Sequence, residues 1–155
     1  MKQNSTVKEQ SLNPQSSVRS TPQTAIEAVL DERVYAALHA ASEKKAIEPV
    51  VLDLRDIASF TDYFLIVSGQ NERQVQAISD GIYEQLKKSG SAAARVEGYK
   101  TAEWILLDYG DFVVHVFEQK ARKFYDLERL WRESKRVELP AEFRDDSARS
   151  LRTES

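Results

Sequence analysis

Apolar residues recur at three- and four-residue intervals in some stretches of the chain and crowd into short β-branched runs in others. That change of period predicts the elements. Ile26, Val29, Leu30, Val34, Ala37, Leu38 and Ala41 form a helical stripe that Thr24 is placed to cap and Pro49 to stop. Val50-Val51-Leu52-Asp53-Leu54 reads as a buried strand, Arg55 to Phe60 as a loop, and Asp62 to Gly69 as a second, nearly continuous apolar strand. Asn71 suits the cap of a second helix whose core stripe is Val75, Ile78, Ile82 and Leu86, and Gly90 its end. Gly81 inside that helix points to close packing on the sheet. A weaker strand, Ala94 to Gly98, leads to the clearest pattern in the chain.

That pattern is Trp104 to Phe117, two strands folded back at Tyr109-Gly110. A two-residue turn there pairs Leu107 with Phe112, Leu106 with Val113, Ile105 with Val114 and Trp104 with His115. Alternation then gives one wholly apolar face: Ile105, Leu107, Phe112, Val114 and Val116. The other face mixes Trp104, Leu106, Asp108, Asp111, Val113, His115 and Phe117. Two readings stand side by side. Either a helix covers this second face and Trp104 and His115 are satisfied core residues, or it is a recognition patch with an aromatic anchor and a polar rim.

Beyond the hairpin, Phe124, Leu127, Leu130 and Trp131 mark a short amphipathic helix. The order of elements predicts an α/β (α+β) fold with a mixed sheet over residues 24–132. Residues 1–23 hold 13 Ser, Thr, Asn or Gln and are expected to be disordered. Residues 133–155 carry 11 charges among 23 residues and Pro140, which suggests a mobile or loosely docked tail.

Composition narrows the chemistry. The 155 residues fit one domain with tails, and the absence of cysteine excludes disulfides, thiolate metal sites and thiol nucleophiles. No apolar run nears the ~18 residues of a membrane span and no secretory signal is visible, so a soluble, cytoplasmic protein without membrane contact is expected. A net charge of -3 argues against broad attraction to nucleic acid.

Catalytic candidates are weak. Asp53, Asp56, Asp62, Asp108 and Asp111 lie at strand ends, but Asp108 and Asp111 flank a turn, where acidic residues serve the backbone. Ser68-Gly69-Gln70-Asn71 resembles a phosphate-binding corner only faintly and reads better as a helix start. His39 and His115 are too few for a metal cluster, and no nucleophile stands beside His115. No catalytic residue, metal site or cofactor is expected. Lys120, Arg122 and Lys123, next to Phe124 and Tyr125, form a small basic cluster suited to RNA or an acidic partner, or else a solvated face.

Taken together, several motifs resemble the ribosomal silencing factor, or Iojap-like, family. They are Val51-Leu52-Asp53-Leu54-Arg55, Thr61-Asp62-Tyr63-Phe64 with Ser68-Gly69, Arg73 to Ile78, Glu97-Gly98, the whole of Trp104 to Phe117, and Arg122 to Glu128. The resemblance covers about Ile26 to Trp131. It implies a nucleotidyltransferase-like mixed sheet, with helices mainly on one face and without the catalytic carboxylates. It also implies a non-enzymatic translation repressor that binds the large ribosomal subunit through its fourteenth protein and blocks docking of the small subunit under starvation. Organellar relatives act in large-subunit assembly. A metal-dependent nucleotidyltransferase is the weaker alternative.

Carried onto this chain, the contact surface is Trp104, Asp108, Tyr109, Asp111 and His115, with Leu106 on the same face and Arg122 in the adjoining basic cluster, where ribosomal RNA would lie near. Trp104 would be the anchor, the acids would meet basic groups, and His115 would hydrogen-bond or stack beside the indole. A homodimer away from the ribosome is a further state this surface allows. Two positions depart from the family's usual pattern. Gly69-Gln70-Asn71 stands where Gly-Thr-Ser is common, and Ala102 where a Gly often sits two residues before the Trp.

Overall fold

The computed structural model describes residues 31–144. Helix α1 spans Glu32–Glu43 and starts where the extended backbone of Asp31 lets its carboxylate accept from Arg33 N at 2.7 Å. The helical stripe holds for Val34, Ala37, Leu38 and Ala41, all buried. The proposed cap Thr24 and the apolar Ile26, Val29 and Leu30 lie outside the described residues, as does the tail expected over 1–23.

Pro49 does not end α1. The helix stops at Glu43, and Lys45 then takes a positive φ of 65°. Pro49 lies instead inside strand β1, Ile47–Asp53, at a register break between Ile47 and Val50 where Glu48 has φ 53°. A bulge of this kind is where a strand tolerates a residue without an N–H.

Strand β2, Tyr63–Gly69, is buried along its whole length. Helix α2, Glu72–Lys88, opens on Asn71, whose side chain accepts from Gln74 N at 2.9 Å. It closes with Gly90 at φ 93° and paired bonds from Gly90 N to Lys87 O and from Ser91 N to Leu86 O, so both ends fall where the sequence placed them. Gly81 serves a different contact from the one expected. A Cβ there would meet the Lys44 side chain at 3.2 Å, so the glycine lets α2 approach the end of α1 rather than the sheet.

Strands β3 (Arg95–Glu97), β4 (Trp104–Asp108) and β5 (Phe112–Glu118) follow, then α3 (Gln119–Tyr125), α4 (Leu127–Leu130) and β6 (Lys135–Arg136). The six strands form one mixed sheet in the order β3-β4-β5-β2-β1-β6. Among the described strands the β2–β5 pair alone is parallel, joined across α2 and the β3–β4 arm. These two central strands are covered on both faces, which is why they read as continuous apolar runs. The edges, β3 and β6, are short and carry Arg95, Glu97, Lys135 and Arg136, which discourages pairing with another chain.

The larger helices, α1 and α2, cover one face of the sheet. The second face gathers Val50, Leu52, Leu54, Phe64, Ile66, Val113 and Phe117 under Ala121 of α3 and Leu127 of α4. Of the tail expected over 133–155, residues 145–155 lie outside the described residues, and residues 133–144 make defined contacts with the domain. Val137 N donates to Val51 O at 2.9 Å beside β6, and a 3-10 turn at Ala141–Phe143 buries the Phe143 ring against Tyr35 of α1. One well-placed aromatic outweighs the charge density that suggested a tail.

Candidate functional site

The hairpin turns one residue later than expected. Tyr109 N donates to Phe112 O at 3.0 Å, so Gly110-Asp111 makes the bend, with Gly110 at φ 85° and an Asp111 N to Tyr109 O bond across it. The register therefore pairs Asp108 with Val113, Leu107 with Val114, Leu106 with His115, Ile105 with Val116 and Trp104 with Phe117. An offset of two residues leaves every side chain on its assigned face. Ile105, Leu107, Phe112, Val114 and Val116 are all fully buried, on the side of α1 and α2.

The chain enters β4 through a compressed loop. A Cβ on Gly98, at φ 82°, would stand 2.1 Å from the Trp104 carbonyl oxygen. Ala102, buried and at φ 58°, donates its N–H to Gly98 O at 2.9 Å. A left-handed conformation costs an alanine roughly 1 kcal/mol, so the position favours Gly and this chain holds an Ala there at that cost. The loop thereby fixes where Trp104 emerges.

Trp104 is half-buried and packs against Phe117 at 4.9 Å and Tyr125 at 4.8 Å between ring centroids. Its indole N–H donates to His115 Nδ1 at 3.1 Å. His115 itself is 3% exposed, edge-on to Phe64 at 4.4 Å, with no partner for Nε2. Burial pushes its pKa down to about 3, so it is a neutral acceptor for the indole.

The expected contact set is thus brought together only in part. Trp104 and Leu106 share one partly exposed surface. His115 lies beneath it, because α3 and Trp131 close over that half of the face. Asp108 and Asp111 sit at the other end of the hairpin, about 14 Å from Trp104 along a five-residue strand. There Asp108 Oδ1 accepts from Gly110 N at 2.8 Å and its other oxygen lies 3.5 Å from Arg95, while Asp111 pairs with Arg33 at 2.8 Å. Tyr109 points to the opposite face, stacked on Phe112, and burial raises its pKa to about 12. Arg122 is also buried, donating to Ser68 Oγ at 2.9 Å and Glu128 at 2.8 Å. His115 and Arg122 are therefore buried on the side of the sheet that carries Trp104, and Tyr109 is buried on the opposite side.

What completes the surface was assigned elsewhere. Phe124 is 79% exposed, Leu130 69%, Phe60 59% and Tyr125 44%. The rings run on from Trp104 to Tyr125 and Phe124 on one side, while Phe60 and Phe64 close on Trp131 on the other. The spacing of Phe124, Leu127 and Leu130 describes a single helix with one apolar stripe. Asp126, at φ 50°, breaks it into α3 and α4 and changes the phase, so that Leu127 alone of the three turns inward. A cluster of aromatics around a residue tolerant of the left-handed region was the available signal.

The carboxylates do not converge. Asp53 is gripped by Arg55 at 3.0 and 2.8 Å, which holds its carboxyl below the usual range, and Asp56 pairs with Lys135 at 3.3 Å. Among the described residues no group of three or more His, Asp or Glu could hold a metal. At the corner before α2, a Cβ on Gly69 would lie 3.1 Å from Val75, so close packing against the helix start accounts for the glycine.

Residues 27–155 match the family model described as ribosomal silencing factor during starvation. The ribosomal silencing factor of Halalkalibacterium halodurans is 42% identical over 108 residues, 70% of this chain and 92% of that one. A mouse protein named for mitochondrial assembly of the ribosomal large subunit is 29% identical over 92 residues, 57% of this chain and 40% of its own length. A crystal structure of a Chromobacterium violaceum protein, 31% identical, superposes with a TM-score of 0.64 over 71% of this chain and 88% of that one.

Proposed function

The chain belongs to the ribosomal silencing factor family, and from that premise we propose that it binds the large ribosomal subunit through its fourteenth protein and, by occupying the place where the small subunit docks, represses translation under nutrient limitation. The observation that carries this reading is the half-buried Trp104, held by an indole-to-imidazole hydrogen bond at the centre of a continuous aromatic surface. A large, pre-positioned ring with dry neighbours is the form that binding hot spots take.

The acids at the hairpin turn, Asp108 and Asp111, are already engaged with Arg95 and Arg33. They supply the rim, and the aromatics supply the affinity. No step of this function needs a bond made or broken, and the bacterial relative is named for silencing rather than for a reaction.

The test is co-sedimentation with isolated large subunits together with the yield of joined ribosomes. Wild-type protein pellets with the subunit and lowers joining, whereas Trp104→Ala weakens both by about thirtyfold, the equivalent of ~2 kcal/mol. Unchanged sedimentation of that variant would move the interface elsewhere on the protein. A second reading, assembly of the large subunit through the same surface, is favoured by the name of the mouse relative. Precursor particles accumulating on deletion during nutrient-rich growth would select it.

A further inference from the structure

Charge is distributed unevenly along this mildly acidic chain. Residues 119–136 contain seven Lys or Arg against three Asp or Glu, a net charge of +4, while the chain as a whole carries -3. Two of those cations are occupied, Arg122 by Glu128 and Lys135 by Asp56. The other five, Lys120, Lys123, Arg129, Arg132 and Arg136, are exposed and have no carboxylate partner among the described residues.

Their placement is set by the helix. Lys120, Lys123 and Phe124 stand at the i, i+3 and i+4 positions of α3 and so share its outer side, opposite the buried Ala121 and Arg122. The Phe124 ring is 79% exposed on that side, and among the described residues its ring neighbour is Tyr125, 5.0 Å away. Arg129 and Leu130 face outward from α4 in the same module.

We propose that this strip, Lys120, Lys123, Phe124 and Arg129, is an RNA-binding surface that takes phosphates on the cations and an unstacked base on the Phe124 ring. It rests on the reading that the large subunit is the partner, and it adds an RNA contact beside the protein contact at Trp104. Phosphates neutralise the surplus charge, and the neutral bases carried on the same strand bring flat π-faces for an exposed phenyl ring. An acidic protein segment is the other outcome, and it would crosslink at Phe124 to protein rather than to RNA.

The experiment measures affinity of the full chain for isolated large subunits from 50 to 200 mM KCl. Three phosphate contacts at ~0.7 released ions each add about 2 to the slope of log affinity against log salt. Wild-type protein should therefore lose about twentyfold more affinity over that range than the triple variant Lys120→Gln/Lys123→Gln/Arg129→Gln. Phe124→Leu should bind about tenfold more weakly with an unchanged slope. A photo-crosslinker at position 124 should yield a product destroyed by ribonuclease.

Equal slopes for wild type and the triple variant, or crosslinks to protein alone, would overturn the proposal while leaving the Trp104 interface standing. Should wild-type protein fail to bind large subunits at all, the functional reading fails. The strip is then decided by a labelled 20-nucleotide single-stranded RNA, which wild type must bind more tightly than the triple variant.

Discussion

Burying one neutral imidazole under Trp104 should make the protein acid-sensitive well above the range where its carboxylates titrate. In the folded state His115 accepts from the indole and holds a pKa of about 3, while in the unfolded chain it returns to ~6.5. Between those values the unfolded state binds the additional proton, so stability rises with pH and falls on acidification. Going from pH 8 to pH 5 takes the protein ~1.5 units below the unfolded-state value, and at ~1.36 kcal/mol per unit this costs about 2 kcal/mol. With a urea m-value of roughly 2 kcal/mol per molar, the unfolding midpoint should drop by about 1 M.

The assay is urea unfolding at pH 5, 6, 7 and 8 in a His39→Gln background, which leaves a single imidazole, compared with the same chain carrying His115→Gln. The second variant keeps an amide acceptor but loses the ring packed against Phe64 and Trp104, so it is expected to be less stable at pH 8 but nearly independent of pH down to 5. A wild-type midpoint that stays level across this range, or an identical slope in both proteins, would refute the account of His115 as a sealed neutral acceptor.

Two further substitutions probe the supports of the same surface. Gly98→Ala puts a methyl 2.1 Å from the Trp104 carbonyl oxygen at a positive φ, so it should cost about 3 kcal/mol in urea unfolding and shift the tryptophan emission as the strand entry moves. Arg122→Met strands Glu128 and the Ser68 hydroxyl; because the Glu128 side chain can turn to water, the loss should be about 2 kcal/mol, and adding Glu128→Gln should recover part of it.

Most of the fold was legible because it follows from period and caps. The seven buried residues of β2, the Asn71 cap and the Gly90 terminus of α2 each depend on a local rule that a sequence states openly. The sidedness of the hairpin also survived a misplaced turn, since β alternation forgives an offset of two residues where it would not forgive one. What stayed hidden depended on chain segments meeting at a distance. Pro49 looked like a helix stop and is a bulge residue, because the bulge exists only in relation to β2. Residues 133–144 looked like a tail and are docked, because the value of Phe143 depends on a Tyr35 over a hundred residues away.

The exposed aromatic face was the least legible part for a more specific reason. Reading one strand face as wholly open or wholly covered treats the sheet as the unit, whereas α3 and α4 cover half of it and leave half exposed. His115 and Phe117 fall under the helices, and Trp104 and Leu106 at the margin. A single left-handed residue, Asp126, produces this partition. It lets Leu127 seal the second core while rotating Phe124 and Leu130 out to solvent. The same break that spoils the amphipathic stripe therefore leaves the Phe124 and Tyr125 rings exposed beside Trp104.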